Sequence, residues 1–133
     1  NPMLFQILKE DPETKENIIV LEIITNINKE GIFVSDGNCA KTSSTIKPIS
    51  DAKDVIQSIQ EMLKKTTWTG DEELKRRFMA ECLIPKKVES EIIYGIHVQN
   101  ETTKQKIEIM IKNDFPEFDR IIIKKNPIMF FSN

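Results

Sequence analysis

Apolar residues fall in short, separated blocks, and the spacing within each block predicts its conformation. Leu4, Ile7 and Leu8 lie three and four apart within residues 3–9, which predicts a short helix burying all three. After a polar turn at 11–16, the β-branched stretch from Asn17 to Thr25 predicts a buried strand. Residues 26–30 predict a turn, and Gly31 to Val34 a second strand beside an antiparallel neighbour. Ser35-Asp36-Gly37-Asn38 ends that strand, since glycine after aspartate takes positive φ without a clash. Residues 41–48 carry Thr, Ser, Lys41, Lys47 and Pro48, and predict an exposed loop.

Ser50 and Asp51 are cap residues for a helix over 51–64, whose Val55, Ile56, Ile59, Met62 and Leu63 keep helical spacing. Residues 66–70 break it. Asp71 opens a short helix through Met79, acidic in its first turn and cationic later, as the helix dipole favours. Ala80 to Ile84 predicts a strand stopped by Pro85. A further strand follows at 91–99, then a helix at 101–113 with Ile107, Met110 and Ile111 on one face. Strands at 120–124 and 128–131 flank Asn126-Pro127. Helices are inserted among the strands rather than alternating with them, so the predicted class is α+β. There is no internal repeat and no low-complexity segment.

A length of 133 residues predicts one domain, 1–133, large enough to build a core without staples. Hydrophobic residues make up 39% and charged residues 30%, an ordinary soluble balance. No stretch approaches the roughly 20 apolar residues of a membrane span, and the start lacks a signal peptide's basic and apolar regions. Two cysteines, Cys39 and Cys82, point to reduced thiols, so the expected location is cytoplasmic. One histidine and no Cys-x-x-Cys predict no metal site; His97, on an apolar strand, is read as structural. A net charge of −2 argues against a general nucleic-acid coat. It leaves room for local basic patches at Lys64-Lys65, Lys75 to Arg77, Lys86-Lys87 and Lys124-Lys125. The first residue is not methionine, which predicts processing or the downstream part of something longer.

The densest chemistry lies in Lys75-Arg76-Arg77-Phe78-Met79-Ala80-Glu81-Cys82-Leu83-Ile84. Three cations lead into one carboxylate at the mouth of a predicted strand. Partial desolvation beside cations fixes such a carboxylate and keeps it charged, a setting enzymes use to hold a hydroxyl or stabilise developing positive charge. The plainer alternative is a strand-edge glutamate paired with Arg76 or Arg77.

Lys75-Arg76-Arg77-x-x-Ala80-Glu81-x-Leu83-Ile84, with Trp68 upstream, resembles the basic-helix-to-strand motif of DarT-type DNA ADP-ribosyltransferases. Phe33-x-x-Asp36-Gly37-Asn38-x-Ala40 is similar to that family's strand and turn before its substrate loop. Pro2-Met3-Leu4-Phe5 resembles the Pro-Met-Leu-aromatic motif near its NAD site, and Ile93-x-Gly95-Ile96-x-Val98 a later strand. The motifs keep the family order across most of the chain.

The resemblance implies an ADP-ribosyltransferase-like split β-sheet with inserted helices and NAD as co-substrate, with no metal. The implied reaction transfers ADP-ribose to thymidine or guanosine of single-stranded DNA, as the toxin partnered by a macrodomain antitoxin. It makes Glu81 the catalytic carboxylate and a contact to NAD, with Met3 near the nicotinamide. Residues 40–80 become the substrate-recognition segment, with Lys41, Thr42, Trp68, Lys75, Arg76 and Arg77 as DNA contacts. Helical geometry forbids the three consecutive cations from all pointing one way. The family also carries an arginine just before the position of Asn1 and an upstream His-Thr motif, and neither is in this chain. An upstream segment or another chain is therefore expected to complete the NAD site, and these 133 residues alone to bind NAD poorly. The alternatives are an inactive relative that binds single-stranded DNA or protein, and an unrelated α+β domain.

Overall fold

The computed structural model describes residues 2–24, 30–65 and 67–131. In chain order it contains α1 (Pro2–Glu10), β1 (Val20–Ile23), β2 (Phe33–Ser35), β3 (Ile46–Pro48) and α2 (Lys53–Met62). There follow α3 (Glu72–Arg77), β4 (Cys82–Leu83), β5 (Ile93–Val98), α4 (Glu101–Asp114) and β6 (Ile122–Lys125). The predicted α+β class is what the chain adopts. The backbone divides into two compact units, one of Asn1–Met3 with Ile27–Val88 and one of Leu4–Asn26 with Glu89–Asn133.

In the unit containing residues 27–88, β2 is central and pairs antiparallel with β3 and β4. Its register sets Val34 opposite Lys47 on one side and Cys82 on the other. The expectation that 41–48 is all loop is corrected here, because Ile46–Pro48 forms an edge strand, where proline's missing N–H costs no ladder bond. Val34, Ala52 and Val55 form the core, and Ile49, Ile56 and Ile59 pack on it. α2 starts at Lys53 with Ala52 as its N-cap, not Ser50 or Asp51, which lie in a 3-10 turn before it. Ala52 is fully buried, so packing has displaced a capping side chain. α3 is capped as predicted: Asp71 Oδ1 accepts from the Leu74 N–H at 2.7 Å, and Leu74 turns inward.

In the other unit, β5 is central, antiparallel to β1 and parallel to β6. A parallel pair needs a crossover, and α4 supplies it. Asn100 caps α4, its Oδ1 accepting from the Thr103 N–H at 2.8 Å. β1 is shorter than predicted because Pro12–Asn17 forms a 3-10 turn, capped by the Asp11 carboxylate. The strand expected at Gly31–Val34 is β2, and its antiparallel neighbours are β3 and β4, while β1 pairs with β5. Residues 128–131 are not a strand: Pro127 opens a 3-10 turn to Phe130, and Phe131 takes φ of 54°. Phe130 is thereby fully buried, and Phe131 meets Phe5 edge-on at 5.1 Å. Ile7, expected to be buried, stays exposed, and so does Met110. The expected turn at 26–30 lies, except for Glu30, outside the described residues, as do Thr25 and Thr66.

His97 is buried in β5, as a structural histidine should be. Its Nδ1 lies 3.4 Å from Asn126 Nδ2 and its Nε2 3.1 Å from Glu22 Oε2. Lys124 Nζ donates to the same oxygen at 2.7 Å. The Lys124 bond, aided by His97 and opposed by burial, holds the Glu22 carboxyl below the usual carboxylate range. Gly95 permits this, since a Cβ there would come within 2.8 Å of Glu22 Oε2.

Val98 is fully buried at the end of β5. Val98→Ala is expected to destabilise the fold by about 2 kcal/mol. Urea titration should show a lower midpoint at unchanged slope.

Candidate active site

Ser35 ends β2, and its side chain is fully buried. Its N–H donates to the Glu81 carbonyl at 2.9 Å, which extends the β2–β4 pairing by a residue. Its hydroxyl accepts from the Glu81 N–H at 3.0 Å and donates to the Gly37 carbonyl at 2.5 Å. The following loop is tied off by Asp36 and Thr45: Asp36 N–H donates to Thr45 O at 3.1 Å, and Thr45 N–H donates to Asp36 Oδ1 at 2.8 Å. Within it, the Asn38 side chain accepts from the Ala40 N–H at 2.8 Å, and the Asn38 carbonyl accepts from Lys41 N–H and the Ser44 hydroxyl.

Arg76 reaches into this loop. Its Nη1 donates to Asp36 Oδ1 at 3.0 Å and to Ser44 Oγ at 2.8 Å, while Nη2 and Nε grip Glu73 at 2.6 and 2.8 Å. Only 10% of the side chain is exposed. Burial pushes the Asp36 carboxyl up, but the Arg76 hydrogen bond, the Thr45 N–H and the charges of Arg76 and Arg77 together bring it below its ordinary value. Glu73 is lowered chiefly by its hydrogen bond to Arg76, and Arg76 is raised by Glu73 and then Asp36. Gly37 is needed for a reason other than the predicted one. Its φ is not in the left-handed region; instead a Cβ would lie 2.2 Å from Arg76 Nη1 and 2.9 Å from the Arg76 carbonyl. The residue clears space for the guanidinium.

The three consecutive cations diverge. Arg76 turns inward, its donors shared among Asp36, Ser44 and Glu73. Arg77 Nη2 donates to the carbonyl and hydroxyl of Ser58 on α2, at 3.0 and 2.5 Å. Lys75 remains on the surface, with Glu72 at 3.7 Å. Lys75, Lys41, Arg76, Asn38, Met79 and Glu72 line a cavity of about 150 Å³. Thr42 is exposed on the same loop as Lys41. Trp68 is half-buried, its ring 5.3 Å from that of Phe78. Met3 is exposed on α1.

Glu81 follows α3 and precedes β4. Its side chain is exposed, which corrects the expectation of a partly desolvated carboxylate. The Cys39 N–H donates to Oε1 at 3.1 Å. Among the described residues it forms no ion pair, so pairing with Arg76 or Arg77 is ruled out: both are committed elsewhere. Cys39 and Cys82 are free thiols, and burial pushes the Cys82 thiol up. Among the described residues, no group of three His, Cys, Asp or Glu side chains can hold a metal, and no helix is long and apolar enough to cross a membrane.

The family model described as "ssDNA thymidine ADP-ribosyltransferase, DarT" matches residues 1–131. The chain belongs to the DarT family. A DNA ADP-ribosyl transferase–DNA ADP-ribosyl glycohydrolase fusion protein of Thermosipho africanus is 29% identical over 133 residues, covering 98% of this chain and 32% of the relative. The chain thus spans about a third of that relative's length. The solved Thermosipho africanus DarTG in complex with ADP-ribose superposes with a TM-score of 0.86 at 26% identity, over 99% of this chain and 34% of the other. Thermus sp. 2.9 DarT in complex with ADP-ribosylated ssDNA shares the fold, with a TM-score of 0.82 at 20% identity, over 98% of this chain and 64% of the other. The split-sheet DarT fold implied by the motifs is therefore the fold of this chain.

Sequence reasoning on this DarT-family chain gave Ser35 and the Cys39 amide no role at the site, read Ser44 as a hydroxyl donor for phosphates, and read Asp36 as a turn residue at the entrance of the substrate loop. Two signals were present: Glu73 and Arg76 at helical i, i+3 spacing, and Ser-Asp-Gly directly after a strand.

Arg76→Met should destabilise the fold by roughly 2–3 kcal/mol near neutral pH, after discounting the exposed Glu73 for screening. The folded carboxyls of Asp36 and Glu73 lie below their unfolded values, about 3.9 and 4.3. Their contribution is complete above those values and lost as pH falls through the lower folded ones. The stability gap between wild type and variant in urea titrations should therefore narrow below about pH 4. A gap independent of pH would remove the ion pair as its cause.

Proposed function

We propose that the chain is a DNA-base ADP-ribosyltransferase domain over 1–133, transferring ADP-ribose from NAD to thymidine in single-stranded DNA, with Glu81 as the catalytic carboxylate. The observation that carries this is the state of Glu81 within a DarT-family chain. It is oriented by one backbone N–H, unclaimed by the adjacent arginines, and accessible.

The bond from the ribose C1′ to the nicotinamide nitrogen breaks, and its electron pair leaves with nicotinamide. The sugar becomes oxocarbenium-like, and a carboxylate hydrogen-bonded to its 2′-hydroxyl stabilises that charge. A thymine ring nitrogen forms the new bond and gives its proton to Glu81, acting as general base. Met3, in the Pro-Met-Leu-aromatic match, contributes to the nicotinamide side. The fit to NAD rests on the donor set: a carboxylate with one open oxygen can bind a ribose hydroxyl.

Residues 40–80 act as the substrate-recognition segment. Within it, Lys41 and Lys75 flank the small cavity and supply the phosphate contacts, and Thr42 adds a hydroxyl. Arg76 holds the loop that presents them. Arg77 is committed to α2, and Trp68 offers a stacking face only where Phe78 leaves it uncovered. The Thermosipho relative carries its glycohydrolase in the same polypeptide. That supports pairing of this domain, as a toxin, with a macrodomain antitoxin that reverses the modification in the cytoplasm.

Incubation of the full-length protein with NAD and thymidine-containing oligonucleotides should add one ADP-ribose mass per reactive base. Glu81→Gln should lower that rate at least 1,000-fold while leaving the melting temperature unchanged; retained labelling would refute the role. Lys41→Ala with Lys75→Ala should weaken oligonucleotide binding and shallow its salt dependence by about one to two units of slope, without altering NAD binding.

A further inference from the structure

We infer that Ser35 is a positioning residue for the Glu81 carboxylate, acting through one buried hydroxyl that grips both the backbone carrying the carboxylate and the loop carrying its orienting N–H. The inference rests on the reading of Glu81 as catalytic. Three distances carry it: Glu81 N–H to Ser35 Oγ at 3.0 Å, Ser35 Oγ to the Gly37 carbonyl at 2.5 Å, and Cys39 N–H to Glu81 Oε1 at 3.1 Å.

These bonds form a closed path. The hydroxyl fixes the Glu81 backbone on one side and the Gly37 peptide on the other. Two residues beyond Gly37, the Cys39 amide holds the carboxylate. The exposed side chain thus owes its orientation to a loop that this buried hydroxyl ties directly to the Glu81 backbone, beside the Ser35 N–H bond to the Glu81 carbonyl and the Asn38 N–H bond to the Arg76 carbonyl. Ser35 is fully buried, so water cannot replace the hydroxyl. Removing it leaves the Glu81 N–H and the buried Gly37 carbonyl without this shared partner, which favours separation of loop and strand. The Arg76–Asp36 pair anchors the far side of the loop but touches neither Glu81 nor Cys39. A misplacement near 1 Å at a reacting group costs on the order of 100-fold in rate.

The test is Ser35→Ala in the full-length protein, with two readouts. Steady-state ADP-ribose transfer should lose 10- to 100-fold in kcat, with KM for NAD and for the oligonucleotide within about twofold of wild type. Residue-resolved amide exchange should show protection lost at Cys39 and Glu81 and kept at Ile56, whose N–H bonds the Ala52 carbonyl within α2. Wild-type kcat in the variant would overturn the inference. So would unchanged protection at Cys39, or a loss of protection spread evenly over the unit. Absence of transfer by wild type is a separate outcome: it removes the proposed reaction, while exchange at Cys39 still decides whether Ser35 sets the carboxylate's geometry.

Discussion

The guanidinium of Arg76 is the constraint on which the rest of the site depends. It joins a helix to a loop by charge-assisted bonds to two carboxylates and a hydroxyl, with almost no solvent on it. A cation so placed is tolerable only when its donors are met, and Asp36, Glu73 and Ser44 meet them. Gly37 is the steric condition, because any side chain there would occupy the space of the guanidinium. The loop from Asp36 to Thr45 is therefore a fixed shape although it carries little apolar surface. Hydrogen bonds and one ion do the work that a core does elsewhere in this unit.

That commitment releases Glu81. Lys75, Arg76 and Arg77 precede it by six, five and four residues, close enough in sequence to neutralise it. The helical turn of about 100° per residue sends them apart. One goes to Asp36 and Glu73, one to Ser58, and one to the surface beside the Lys41 cavity. The run of charge is thus a division of labour between holding the loop, docking α3 on α2, and leaving one lysine for solvent or ligand.

The helices were legible wherever spacing and capping agreed. Asp71 caps α3 and Asn100 precedes α4, and both ends fall within a residue or two of expectation. What failed was long-range pairing. Nothing in Ile46–Pro48 marks it as the partner of β2, because a three-residue edge strand ending in proline carries no alternation to read. The final turn failed for a related reason: Ile128 to Phe131 is apolar enough for a strand, but Pro127 fixes the entry of a 3-10 turn. At the site, Glu81 stood out because its neighbours in sequence are charged. Ser35 did not, because its role comes from a residue 46 positions away. Gly37 was noticed for the wrong reason, since a close approach and a left-handed φ leave the same mark in sequence.

The choice of an amide rather than an arginine to orient Glu81 has a chemical consequence. A bidentate guanidinium would engage both carboxylate oxygens and stabilise the anion strongly, lowering its basicity and filling its lone pairs. A single neutral N–H is worth roughly 1 kcal/mol net and occupies one oxygen. Among the described residues, Oε2 of Glu81 has no hydrogen-bond partner, which leaves it open for the ribose hydroxyl that the proposed reaction calls for. Orientation and reactivity pull in opposite directions for an exposed carboxylate: more partners fix it better and leave it less to do. Here the fixing is moved one step back, to the buried Ser35 hydroxyl and the Arg76 network. The side chain itself keeps only one bond.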